Sequence, residues 1–93
     1  MNSLYEVFES LYGLVVESVG ESDRTLVHAV VMSKHREYAL ATMYCLAVAA
    51  DESVRIPQDL LDQASQMFDE NDPDDEIAIE DISRLRELNQ RVA

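Results

Sequence analysis

Apolar residues near the start of the chain recur at three- and four-residue steps: Leu4, Val7, Phe8, Leu11, Val15 and Val19. That spacing predicts one stripe along a helix. Ser3 and Glu6 stand at the separation of a capping box, and Gly20 is placed to end the helix. A second helix is expected from Ser22 or Asp23, either of which can cap it, with Leu26, Val27, Val30 and Val31 as its buried side. The valine run also allows a strand, but a lone strand with no second candidate has nothing to pair with.

The pattern then changes. In HREYALATMYCLAVAADES the apolar positions Tyr38, Leu40, Met43, Tyr44, Leu46, Ala47, Val48 and Ala50 leave no polar face of ordinary width. A third helix here is expected to be central, with Arg36, Glu37, Asp51 and Glu52 gathered at its ends. Pro57 suits the first position of a fourth helix whose stripe is Leu60, Leu61, Ala64, Met67 and Phe68. The last helix opens with Asp74, Asp75 and Glu76 at the positive end of its macrodipole and closes with Arg84, Arg86 and Arg91. Ile79, Ile82, Leu85 and Leu88 face inward, and Glu80–Arg84 and Glu87–Arg91 are expected four-residue pairs.

These segments predict an all-α fold: one domain over residues 1–93, a compact bundle of four to five helices around a central apolar helix. Composition agrees. Hydrophobic residues make up 47% of the chain, too many for a disordered acidic tail, and only two glycines and two prolines punctuate it. No basic segment followed by an apolar run opens the sequence, so no export signal is expected. The longest uncharged stretch, Tyr38 to Ala50, is shorter than the ~20 residues that span a bilayer. A single cysteine, Cys45, fits a reducing compartment, and the cytoplasm is the expected location.

Charge narrows the partner. Seven basic and 19 acidic residues give a net charge of −12, which repels nucleic acid and anionic membranes and favours a cationic protein. The acid is concentrated: residues 69–76 read DENDPDDE, and ten carboxylates from Asp59 to Asp81 occur without a lysine or arginine among them. Two exposed charges about 6 Å apart repel by ~0.7 kcal/mol in water before screening, so this density has a cost that a basic partner would relieve. Helix capping by Asp74, Asp75 and Glu76 explains only part of it. A calcium loop counted from Asp69 places Asp69, Asn71 and Glu80 at ligand positions 1, 3 and 12. Pro73 and Asp74 then occupy the fifth and sixth positions, where a ligand oxygen and a glycine are required, so no metal site is expected.

Candidates for chemistry are sparse. His28 and His35 have no companion ligands at metal-site spacing, Cys45 sits in an apolar helix that disfavours its thiolate, and no Gly-rich phosphate loop is present. Neither catalysis nor a cofactor is expected. Tyr5, Tyr12, Tyr38 and Tyr44 are core material by spacing, with one or two free to present hydroxyls at an interface.

The stretch HREYALATMYCLAVAADESVRIPQDLLDQASQMF resembles the middle of small helical immunity proteins of bacterial polymorphic toxin systems, of the Maf and contact-dependent growth inhibition kind. The matching positions are Glu37, Tyr38, Leu40 and Ala41, then Ile56 and the helix of Leu60, Leu61 and Ala64. The resemblance covers about residues 26 to 80. It implies a cytoplasmic protein that binds a toxin domain, often a nuclease, one-to-one and blocks it without chemistry of its own. An acidic surface can substitute for the nucleic-acid backbone in a basic active site. The residues expected to carry binding are Asp69, Glu70, Asp72, Asp74, Asp75 and Glu76, with Asp51 and Glu52 as a second contribution. Two other functions fit the charge and composition: an acidic DNA-mimic anti-defence protein that binds the basic groove of a restriction or CRISPR enzyme, and an oligomeric helical adaptor that buries its central helix between subunits.

Overall fold

The first helix, α1 (Leu4–Val19), begins at the capping box read from the sequence. The Glu6 amide donates to Ser3 Oγ at 3.2 Å, and the Ser3 amide donates to Glu6 Oε1 at 3.3 Å. Val7, Phe8, Leu11 and Val15 are buried. Leu4 is 52% exposed, because the stripe outruns the core at the first turn. Gly20 ends the helix at φ 91°, a conformation that costs a side-chain-bearing residue, and its amide donates to the Val16 carbonyl.

Asp23 caps α2 (Arg24–Lys34) by accepting the Leu26 amide at 3.1 Å. Of the four residues expected on its buried side, only Leu26 is fully covered; Val27 and Val31 are 48% and 40% exposed, and the second buried residue is Ala29. The reason is geometric. Positions 26 and 27 differ by about 100° around a helix, and α2 packs chiefly on one neighbour, so one covered arc cannot take both pairs.

The segment expected to start the third helix at His35 instead forms the stop of α2. Arg36 adopts a left-handed φ of 61°, and the Glu37 amide reaches back to the Met32 carbonyl at 2.9 Å. This is a Schellman closure on a non-glycine residue. The central helix α3 therefore spans Tyr38–Asp51, and it ends the same way, with Ser53 at φ 53° and the Val54 amide on the Ala49 carbonyl. Seven of its residues are buried: Ala41, Thr42, Cys45, Leu46, Val48, Ala49 and Ala50. Small side chains let α1, α2 and α5 close on it from several sides, so its apolar excess is used within this chain.

Pro57 is the N-cap of α4 (Gln58–Ser65), one position earlier than expected. The helix stops before Met67 and Phe68, which still pack against the core from the following turn. A 3₁₀ turn over Pro73–Asp75 then leads into α5 (Glu76–Gln90), where Ala78, Asp81, Ile82 and Leu85 are buried. Ile79 and Leu88 are half-buried. The expected Glu80–Arg84 and Glu87–Arg91 pairs do not form. Arg84 turns to Asp81 at 3.5 Å and Arg86 to Asp62 of α4 at 2.9 Å. Asn89 fixes the other end of α5 by donating to the Ile56 carbonyl at 2.8 Å.

This computed structural model describes residues 3–91; Met1, Asn2, Val92 and Ala93, at the ends of the expected domain, lie outside the described residues. Among those described there are five α-helices and no strand, built on one core as the sequence predicts. None of the helices is long and apolar enough to cross a membrane.

Candidate functional site

The loop between α4 and α5 shows how closely spaced acids are accommodated. Asp69 Oδ1 accepts the Asn71 amide, Asp72 Oδ1 accepts the Asp74 amide, and Asp75 Oδ2 reaches back to the Asp69 amide, each at 2.9 Å. Carboxylates suit these turns because they accept amides two residues on and satisfy donors that no helix uses. The acids at every third position are therefore folded into the loop, supported by backbone bonds from Asp72 to the Asp69 carbonyl and from Asp75 to the Asp72 carbonyl.

The remaining acids take no part in these turns. Glu70, Asp74 and Glu76 are exposed, and their side chains make no hydrogen bond or ion pair with another described residue. Exposed Glu80 continues the same charge onto the first turns of α5. Five of the six predicted acids thus lie in the connection and Glu76 opens α5; three of the six build the loop and three present charge.

The two predicted acids at the end of α3, Asp51 and the C-cap residue Glu52, differ in their surroundings. Asp51 comes beside α5, where its charge acts on the carboxylate of Asp81. Burial first of all, then the charges of Asp51 and Glu80, push the Asp81 carboxyl above its ordinary value; the Arg84 guanidinium pulls it back in part. Glu52 instead lines an open cleft with Leu14, Glu17 and Ser18 of α1 and with Val54 and Arg55.

A second open cleft, about 340 Å³, adjoins the acidic loop between α4 and α5. Phe68, Ile79 and Ile82 give it an apolar lining, Ser65 and Ser83 contribute hydroxyls, and Glu70 and Arg86 are its charged members. The sequence reading did not find this cleft, since Phe68 and Ile79 both read as core. It offers an apolar seat next to exposed negative charge.

Among the described residues no group of three or more His, Cys, Asp or Glu side chains has metal-holding geometry. Cys45 is fully buried, and burial pushes its thiol up to about 12, so it is not a thiolate at neutral pH. None of the four tyrosines is fully buried; Tyr5 is exposed, meets Tyr38 edge-on at 5.6 Å, and donates to the Glu9 carboxylate. That hydrogen bond, together with the Glu9 charge, raises the Tyr5 phenol above its ordinary value.

Comparison of the chain with protein-family models, with curated proteins and with solved structures gives no match.

Proposed function

We propose that this protein is a cytoplasmic immunity protein that binds a cationic toxin domain, a nuclease, one-to-one and blocks its active site or an adjacent surface. The observation that carries the reading is the division of the loop acids. Three carboxylates suffice to shape the loop, yet Glu70, Asp74 and Glu76 add outward charge that no described residue neutralises. Such a surface attracts a basic partner and speeds its approach, and a phosphate-binding active site is basic by necessity.

The neighbouring cleft gives the surface shape as well as charge. An arginine or lysine of the toxin can lay its aliphatic stem along Phe68, Ile79 and Ile82 while its head meets Glu70. Asp51 and Glu52 enter as peripheral charge, since their surroundings are α5 and α1 rather than the loop. The inhibitor needs no catalytic group and no cofactor; it competes by occupying the site.

The test is inhibition of a cationic toxin domain captured with this protein. Equimolar addition should abolish cleavage of nucleic acid, and Glu70→Gln/Asp74→Asn/Glu76→Gln should slow association by about tenfold or more at low salt. Capture of a restriction or other anti-viral nuclease instead would move the assignment to a DNA mimic.

A further inference from the structure

The cation-free acidic interval has a counterpart that the acidic loop does not explain. From Arg24 to Arg36 the chain contains no acid, and it carries Arg24, Lys34, Arg36 and both histidines. On α2 the residues Arg24, Val27, His28, Val31 and Lys34, with the C-cap residue His35, are all exposed, and their spacing makes them one outer face. Two uncovered valines one turn apart share this face with Arg24, His28, Lys34 and His35 and form an apolar-basic ridge on a protein whose net charge is −12; Asp23, which caps the helix, stands one turn before Val27, and Tyr44 of α3 lies beside His28.

The complementary surface exists on the same molecule. Ile77, at 63% the most exposed large apolar residue described, stands on the first turn of α5 with Asp74 and Glu80 three residues to either side. α2 packs on α3 and α1, whereas α5 packs on α3 and α4, so the two surfaces lie on different flanks of the central helix. One copy cannot close them on each other. Two copies can.

We infer that the outer face of α2 docks onto the acidic face of a second copy, valines against Ile77 and Arg24 and Lys34 against the acids around it. The contact is head-to-tail, because a symmetric pairing of two α2 faces would set cations against cations across the valines. Long-range repulsion between two acidic molecules does not forbid it: at 0.15 M salt charges are screened beyond ~8 Å, so the facing groups decide. The contact does not depend on the proposed function. It does use part of the same acidic surface, so a bound basic toxin domain would displace the second copy.

Analytical ultracentrifugation of the full chain at 0.15 M salt tests this, with far-UV circular dichroism to verify folding. The mass of the wild-type protein should rise above the 10.5 kDa monomer with concentration. Val27→Glu/Val31→Glu and Ile77→Lys/Glu80→Lys, each alone, should weaken association at least about tenfold. An equal mixture of the two variants should recover a dimer, since each keeps the half that the other has lost. A wild-type protein that stays monomeric to ~1 mM, the weak end of measurable association, would overturn the inference. So would a mixture that stays monomeric, or an Ile77→Lys/Glu80→Lys variant that still associates with itself.

Discussion

The loop into α5 and the outer face of α2 both carry charge of one sign, but they use it differently. In the loop, Asp69, Asp72 and Asp75 accept backbone amides, and the connection depends on them. On α2, Arg24 and Lys34 make no hydrogen bond or ion pair with another described residue, and helix formation there rests on the Asp23 cap and on Leu26 and Ala29. The contrast teaches that charge density alone is a poor guide to function: some acids belong to the fold, and only the remainder is available to a partner.

Substitutions should separate the two uses, most strongly where the fold depends on charge. Asp69→Ala/Asp72→Ala/Asp75→Ala removes three carboxylate acceptors and should cost about 3 kcal/mol, near 1 kcal/mol each, in urea unfolding. The outward set, Glu70→Gln/Asp74→Asn/Glu76→Gln, should leave that midpoint unchanged or slightly higher. If both triples destabilise equally, the division is wrong.

Thr42 offers a smaller effect in the core that both regions flank. Its hydroxyl is fully buried without a hydrogen-bond partner, so Thr42→Val should gain about 1 kcal/mol, read as a higher thermal midpoint. Arg36→Gly, at the left-handed stop beside the cationic face, should gain on the order of 0.5 kcal/mol by relieving backbone strain, offset by greater unfolded-state freedom. Lys34→Ala should change stability by less than about 0.5 kcal/mol.

Asp81 adds a pH dependence. Its carboxyl lies above the ordinary value in the fold, so the ionised form is disfavoured there: the associated cost is absent below the unfolded-state value and grows as pH rises through the folded one. Asp81→Asn should therefore raise stability at neutral pH, with the gain fading on acidification; a gain that grew at low pH would refute that cause.

Legibility in the sequence followed locality. The α1 cap needs only Ser3 and Glu6, and the burial of α3 follows from a helix with no polar side, so both could be read directly. The exposure of Val27 and Val31 could not, because the periodicity permits two adjacent faces and the packing partner selects one. The stops at Arg36 and Ser53 lacked the glycine that marks such turns. Asp62–Arg86 joins residues 24 apart, a pairing that helix spacing does not indicate. For the candidate site, the crowding of acids was plain. The roles of individual loop acids depended on turn geometry.

The most direct test is affinity capture from lysate of the source organism with two baits, the wild-type chain and Glu70→Gln/Asp74→Asn/Glu76→Gln, washed at low and then high salt. A cationic toxin domain should remain on the wild-type bait at low salt, leave as salt rises, and be depleted on the neutralised bait. Equal recovery on both baits, or no basic protein on either, would contradict the claim that the outward acids are a binding surface for a cationic partner.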